Sequence, residues 1–429
     1  MNIFLVSLGC DKNRVDSEEM LGLLKASGFS FCNDEKDADI IIVNTCAFID
    51  SAKEESIETI LEMARMKEEG RCSKLIVAGC LAERYKDEIL SELPEVDEVV
   101  GVNDLTKIVA ACDPSLENIQ CPTSSRIITT PGHFEFLKIA EGCNKRCTYC
   151  AIPYIRGGYR SYPMEKLIAE AERLAEMGVK ELIVVAQETT IYGEDLYGEN
   201  KLPQLLKALC RIDGIRWIRV LYTYPEDIND ELLECMAGEE KIVKYIDMPI
   251  QHSSDRILKR MGRRTDHADL VRIIAKVRSV MPDVVLRTSL ISGFPGETEE
   301  DHRDLLDFVK EIRFDRLGVF TYSQEEGTPA AKLPDQLSQE IKDRRRDEIM
   351  ALQETISAEK LKERVGDVFD LIIEGYLPED EVYVGRTYMD APDVDGLFYV
   401  KADRELMTGD FIKAVCTGCG SYDLYGEMI

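Results

Sequence analysis

The stretch Cys143-Asn144-Lys145-Arg146-Cys147-Thr148-Tyr149-Cys150 decides how the rest of the chain is read. Its three thiols follow a strand-like run from Phe134 to Ala140 and precede a loop rich in Arg and Gly. Thiolates hold iron–sulfur clusters, and a four-iron cubane normally takes four of them. With only three ligands, one iron keeps an open position where a small molecule can chelate and receive an electron. A zinc knuckle is one rival reading, although zinc sites usually pair C-x2-C with a second ligand pair and none lies nearby. Three buried free thiols are the other.

The spacing C-x3-C-x2-C resembles that of the radical S-adenosylmethionine (SAM) enzymes. The resemblance implies that the open iron binds the amino and carboxylate groups of SAM. One electron then splits the sulfonium to a 5′-deoxyadenosyl radical, chemistry that belongs to the cofactor. It also implies that Tyr149, just before the third Cys, lies near the adenine.

A chain of 429 residues suggests about three domains. A composition 45% hydrophobic and 31% charged is that of a soluble globular protein with ample core. No apolar run reaches the ~18 residues of a membrane span, so no membrane association is expected. The start, Met1-Asn2-Ile3-Phe4-Leu5-Val6-Ser7-Leu8-Gly9-Cys10, lacks the basic region and apolar length of a secretory signal. A cytoplasmic location is therefore expected, and 14 Cys in a reducing compartment point to metal ligation more than to disulfides. The balance of 53 basic against 81 acidic residues, a net charge of −28, repels a phosphate backbone and favours a basic partner. Taken alone, the charge reads first as a means of staying soluble.

Residues 1–125 alternate strand-like and helix-like segments. Strands are expected at Ile3–Leu8, Ile40–Val43 and Lys74–Ala78, and helices at Ser17–Ala26, Asp50–Met66 and Leu81–Leu90. Continuous β-branched runs between helices indicate a parallel sheet covered on both faces. Cys10, Cys46 and Cys80 each stand one to three residues beyond a strand's carboxyl end. Ligands of open parallel sheets bind outside those ends, so the three thiols can converge as a second cluster site. Ordinary burial is the bland reading. Cys32, Cys72, Cys112 and Cys121 show no such placement and read as structural.

After a polar linker (Pro122 to Ser125, then Pro131-Gly132), alternation resumes. Strands are expected at Phe134–Ala140, Glu181–Ala186, Trp217–Tyr222, Tyr245–Ile250, Val284–Ile291 and Arg316–Tyr322, with helices such as Met164–Met177 and Glu299–Ile312 between them. This predicts a partial (β/α)6 barrel whose functional residues lie at strand carboxyl ends. Polar clusters fall there: Gln187 to Thr190, Tyr222 to Pro225, Gln251-His252, and Ser292 to Glu297. Gly293 and Gly296 let the backbone approach a cofactor closely. Ser338–Glu363 reads as a charged helix, with Arg344, Arg345 and Arg346 as a solvated face. From Gly366 on, short strands at Val368–Ile373, Val382–Val384, Leu397–Val400 and Phe411–Val415 predict a small antiparallel barrel. It carries 14 acidic and 4 basic residues, a net −10, the wrong sign for nucleic acid. Cys416 and Cys419 form a C-x2-C that could be half of a zinc site or a redox pair, but with no second half in view they read as part of an incidental turn.

Across essentially its whole length the chain resembles the radical SAM methylthiotransferases. Their layout implies a cluster domain at 1–125, a radical SAM domain at 130–360 and a TRAM-like β-barrel at 364–429. Ser7-Leu8-Gly9-Cys10-Asp11-Lys12-Asn13, Val15-Asp16-Ser17-Glu18, Asn44-Thr45-Cys46-Ala47-Phe48-Ile49, Glu55-Ser56, Lys138 to Cys143, Tyr245 to His252 and Gly293 to Thr298 are similar to the branch named RimO. That branch converts an aspartate of the twelfth small-subunit ribosomal protein to 3-methylthioaspartate. The resemblance implies two [4Fe-4S] clusters, one on Cys10, Cys46 and Cys80 and one on Cys143, Cys147 and Cys150. It further implies SAM contacts at Tyr149, Gln187, Gln251, Gly293 and Gly296, and a low-potential electron donor. A tRNA methylthiotransferase acting on N6-isopentenyladenosine is the alternative. The residues after Cys10 and Cys46 and the acidic barrel speak against tRNA as partner. Glu188, where Asp is commoner, and the Cys416–Cys419 segment depart from the branch pattern. An iron–sulfur electron carrier without a substrate and a non-enzymatic ribosome-associated factor are hypotheses of other classes.

Overall fold

The computed structural model describes residues 1–116 and 126–429. Cys121 and the linker from Pro122 to Ser125 lie outside the described residues. Two compact units emerge: Met1–Thr129 with Glu141–Tyr159 and Ser323–Ala331, and Thr130–Ala140 with Arg160–Tyr322 and Lys332–Ile429.

The first unit is built on five strands, β1 (Asn2–Ser7), β2 (Ser30–Phe31), β3 (Ile40–Thr45), β4 (Lys74–Gly79) and β5 (Glu98–Gly101). They lie in the order β2-β1-β3-β4-β5, every neighbour parallel. Ile41, Val43, Leu75 and Val77 enter one core with Ile60, Met63 and Leu81. Ile40, Ile42, Ile76 and Ala78 enter another with Met20, Leu24, Ile108 and Val109. Burial on both faces explains why these strands read as unbroken apolar runs. The edge strands β2 and β5 are short and escaped the sequence reading.

The first helix runs Asp11–Ala26, not from Ser17, because Cys10 already adopts the extended conformation of an N-cap. Its first turns bury Lys12, Asn13, Asp16, Ser17 and Glu18, so no apolar period marks them. The expected helix at Leu81–Leu90 is two, Cys80–Arg84 and Lys86–Glu92, divided at Tyr85 (φ −131°).

In the second unit six parallel strands stand side by side in chain order: Phe134–Lys138, Glu181–Val185, Trp217–Val220, Ile242–Asp247, Val285–Ser292 and Arg316–Thr321. The fourth starts and ends three residues earlier than expected. Met248 and Ile250 are buried beyond the end of that strand, and an apolar run alone does not show where pairing stops. Helix Glu299–Ile312 begins with a capping box between Thr298 and Asp301. The carboxyl-terminal part is a closed barrel of Val368–Leu377, Val382–Arg386, Phe398–Lys401, Phe411–Cys419 and Leu424–Met428. It is not wholly antiparallel: Phe398–Lys401 pairs in parallel with Leu424–Met428. Cys416 and Cys419 lie inside a strand rather than a turn, Cys416 buried at a register shift. The arginine run is only partly solvated. Arg344 pairs with Glu299 and Glu348, and Arg346 with Asp343, but Arg345 is buried and donates to Glu297 at 2.9 Å.

Barrel and sheet of this second unit are joined by buried charge. Glu181 accepts from Arg219 at 2.8 Å and from Arg386 at 2.7 Å, all three at most 1% exposed. Arg386 also reaches Glu374 at 2.6 Å, and Glu374 pairs with His133 at 3.0 Å. Burial alone would raise the Glu181 pKa, but the two guanidiniums hold it below the usual value. Replacing Glu181 by Gln leaves two buried cations short of a counter-charge. The expected loss is roughly 3–5 kcal/mol in urea unfolding; a loss below about 1 kcal/mol, the worth of an exposed pair, would contradict this account.

Candidate active site

In the first unit, the strand ends of β1, β3 and β4 carry Cys10, Cys46 and Cys80. Gly9 (φ 86°) makes the approach possible, since a Cβ there would sit 2.8 Å from Cys46 Cβ and 3.1 Å from its sulfur. Gly79 (φ 94°) is equally confined: its Cβ would meet Asn44 Oδ1 at 2.3 Å and the Thr45 carbonyl at 2.5 Å. Asn13 Nδ2 donates to the carbonyls of Leu8 (2.7 Å) and Thr45 (3.1 Å), tying the two loops together. Asn44 Nδ2 donates back to the Asn13 carbonyl (2.9 Å) and to Ser17 Oγ (2.7 Å). Ser56 Oγ accepts from the Cys46 amide and donates to its carbonyl, both at 3.0 Å. These bonds give the polar residues around the first two Cys a definite task.

The three thiols share one electrostatic environment. Burial pushes the Cys80 thiol up to about 12; the Arg156 guanidinium pulls it down, and Cys10 and Cys46 push it further up. Burial likewise raises Cys46, with Cys10 adding to the effect.

The segment Glu141–Tyr159 belongs to this same unit. Gly142 (φ 76°) is pressed against the carbonyls of Gly157 and Gly158, where a Cβ would come within 2.6 Å and 2.3 Å. The Cys143 amide donates to the Gly157 carbonyl (3.2 Å), and the Tyr159 amide to Asn144 Oδ1 (3.1 Å), closing the loop on itself. Arg146 sits at φ 52°, a left-handed strain of the kind that gathers at functional sites. The amide of Lys145 points at Cys143 Sγ (3.4 Å). Burial pushes Cys150 up to about 12, with Cys147 and Cys143 adding to the shift. Tyr149 is half-buried. Just beyond, Ala151 and Ile155 enter the core of the amino-terminal sheet.

Arg156, which sequence reasoning missed, is the centre of this unit's polar network. It is 1% exposed. Nη2 donates to Asp16 (2.9 Å), Asn13 Oδ1 (3.1 Å) and Cys80 Sγ (3.4 Å), and Nη1 donates to Glu141 (3.0 Å). The one signal in sequence was an Arg flanked by Gly157-Gly158 just after the Cys stretch. Glu325, also missed, is 1% exposed and accepts from Lys53 and Arg84, each at 2.9 Å. Nearby, Ala330 donates to the Thr148 carbonyl between two of the Cys (2.9 Å).

In the second unit, Gln187, Gln251 and Gly293 follow carboxyl ends of the second, fourth and fifth strands. Tyr222 (φ 60°) and Gln251 (φ 72°) are strained there. Gln251 still bridges the fifth strand, its amide donating to the Ser289 carbonyl (3.0 Å) and its carbonyl accepting from Ile291 (2.8 Å). The Gly293 amide donates to Glu297 Oε2 (2.7 Å) and the Gly296 amide to the Asp335 carbonyl (2.8 Å). Both amides are thus engaged, and these glycines offer backbone shape rather than free donors. A Cβ on Gly293 would lie 2.3 Å from Lys342 Cγ. Burial raises Glu297 to about 7, opposed by Arg345 and by the amides of Phe294 and Gly293.

Among the described residues, no three His, Cys, Asp or Glu side chains are grouped to hold a single metal ion. The thiolates of a polynuclear cluster each take a different iron, so they need not meet at one point. Family models match along the chain: Uncharacterized protein family UPF0004 over residues 2–101, the Radical SAM superfamily over 137–309 and a TRAM domain over 365–429. The ribosomal protein uS12 methylthiotransferase RimO of Lachnoclostridium phytofermentans is 55% identical over 99% of both chains. That of Acetivibrio thermocellus is 51% identical over 99% of this chain and 98% of its own. The chain belongs to the RimO methylthiotransferase family. A RimO-family chain is a radical SAM methylthiotransferase that uses SAM and [4Fe-4S] clusters. The fold is also that of the radical SAM methyltransferase TsrM from Kitasatospora setae, with a TM-score of 0.55 at 15% identity over 77% of this chain and 76% of the other. Among the described residues, no helix is long and apolar enough to cross a membrane.

His252, in the second unit, gives this RimO-family protein a measurable pH dependence. Its Nδ1 accepts from the amides of Ser253 and Ser254 at 3.0 Å, so the ring is neutral with its proton on Nε2. Burial lowers its pKa to about 3, Asp301 opposing and His302, Arg345 and Arg256 assisting. The unfolded chain takes up this proton near pH 6.5 while the folded one does not, so stability falls as pH drops from about 6.5 towards 3. In urea titrations at a series of pH values, His252→Gln should lose up to about 1.4 kcal/mol per pH unit of that slope. Parallel wild-type and variant curves would exclude the assignment.

Proposed function

We propose that this protein methylthiolates the β-carbon of an aspartate in ribosomal protein uS12. The relatives at about half identity over full length bear that name, and the observation that carries the reading here is that both candidate trios, Cys10, Cys46 and Cys80 and Cys143, Cys147 and Cys150, lie in one compact unit. In this reading Cys10, Cys46 and Cys80 hold one [4Fe-4S] cluster and Cys143, Cys147 and Cys150 the other. The chain divides functionally into a cluster domain (1–125), a radical SAM domain (130–360) and a TRAM-like barrel (364–429). Reductive cleavage of SAM supplies the hydrogen abstraction that an unactivated β-carbon requires.

The chain's own residues then orient and shield. Tyr149 lies one residue before Cys150 and offers an aromatic face for the adenine. Gln187, Gln251, Gly293 and Gly296 contact SAM by side-chain amide and close backbone approach. Asn13, Asn44 and Ser56 hold the amino-terminal thiols in place. A low-potential electron donor is required, and a ribosomal substrate puts the reaction in the cytoplasm. The barrel's net charge of −10 supports a basic protein partner and speaks against tRNA.

Mass spectrometry of the target peptide should show one SCH3 in place of hydrogen after anaerobic reaction with reconstituted protein, SAM as methyl and radical source, inorganic sulfide as sulfur source and dithionite as reductant. Cys10→Ala should still cleave SAM but lose methylthio transfer by more than the roughly 10–100-fold that loss of a ligand's outer-shell partner costs. Modification of an isopentenylated tRNA instead of the peptide, or full transfer by Cys10→Ala, would reject the reading.

A further inference from the structure

Arg156 is a large, permanently charged side chain held in a dry interior next to a thiol, and nothing about sheet packing calls for a cation there. Burial disfavours its charge; Asp16, Cys80, Glu141 and Cys10 more than reverse that cost, so it stays protonated at any pH the protein survives. The partners divide by position in the chain. Asp16, Asn13 and Cys80 belong to the amino-terminal thiol site, while Glu141 stands two residues before Cys143. The backbone around Arg156 is fixed as well, because the Gly157 carbonyl accepts from the Cys143 amide. One guanidinium therefore touches both thiol-bearing segments.

The reduction potential of a thiolate-bound cluster follows its net charge, the hydrogen bonds to its sulfurs and its exposure to solvent. A buried cation donating an N–H to Cys80 Sγ at 3.4 Å acts on the first two of these. Its effect is tempered by Asp16 at 2.9 Å, which shares the same nitrogen. Resting on the assignment of Cys10, Cys46 and Cys80 as cluster ligands, the geometry points to Arg156 as a positioning residue that sets the potential of the amino-terminal cluster through Cys80. Glu141 couples that setting to the segment carrying the second thiol trio. The guanidinium favours the more reduced, more negative state, and Asp16 restrains it.

The test uses the full chain with Cys143, Cys147 and Cys150 replaced by Ala, so that iron can be held only at the amino-terminal trio. After anaerobic reconstitution, iron is counted and the midpoint potential is read by EPR-monitored titration, on this background and with Arg156→Met, Arg156→Lys or Asp16→Asn added. Arg156→Met should shift the midpoint to more negative values, and Arg156→Lys should recover part of the shift. Asp16→Asn should move it the opposite way, because it removes the neutralising charge and keeps the guanidinium. A residue that only supports folding would give equal midpoints in every variant that retains its cluster, and that result overturns the proposal. If Arg156→Met loses its cluster, an unshifted midpoint in Asp16→Asn overturns it alone. Absence of iron from the background itself would instead sink the ligand assignment, a distinct failure.

Discussion

In a sheet whose strands all run the same way, every carboxyl end emerges at one edge. That constraint underlies the first unit of this protein. β1, β3 and β4 are neighbours and parallel, so residues placed just past their ends are brought together by hydrogen-bond geometry alone. Cys10, Cys46 and Cys80 occupy those places. What remains is to let the loops approach closely, and Gly9 and Gly79 do so at positive φ, where any Cβ would collide with a neighbouring loop. Asn13 and Asn44 then replace the hydrogen bonds that the sheet ladder no longer provides.

Buried charge does the second kind of work. Arg156 in the first unit and Arg219 with Arg386 in the second are each fully enclosed and each answered by carboxylates. Replacing such pairs by apolar side chains is often neutral or better for stability, so their presence is poorly explained by stability. Their geometry is directional. Arg386 fixes barrel against sheet within the second unit, and Arg156 ties the segment of Cys143 to the strand ends of the amino-terminal sheet. Packing of Ala151 and Ile155 into that sheet's core does the same by hydrophobic contact.

Backbone strain falls both at the candidate site and away from it: of the seven non-glycine residues at positive φ among the described residues, Arg313, Asp335, Glu381 and Asp393 lie elsewhere. Arg146, Tyr222 and Gln251 hold left-handed conformations without being glycine, each in the Cys loop or just beyond a strand end. Conformations of this kind persist only when the surroundings over-determine them. Around Gln251 the surroundings are visible, since its amide and carbonyl are both held by the fifth strand. The Gly293–Glu297 turn is over-determined too, with one carboxylate accepting two amides and a buried arginine.

The amino-acid sequence by itself determined the central strands of both parallel sheets, their parallel arrangement and the strand-end places of Cys10, Cys46 and Cys80, because β-branched runs are local and periodic. It also carried the family, through short motifs around the Cys. It misjudged where signals are not periodic. The first helix hides its opening turns behind buried polar residues, the barrel's parallel pair depends on a strand the pattern did not mark, and Arg345 looks solvated beside two arginines that are. Only the tertiary structure decided the partners of Arg156, Glu325 and Glu181. Each of these side chains answers charges tens to hundreds of residues away. A long-range electrostatic match leaves no trace in local composition, since an arginine is written the same way whether water or a buried carboxylate receives it.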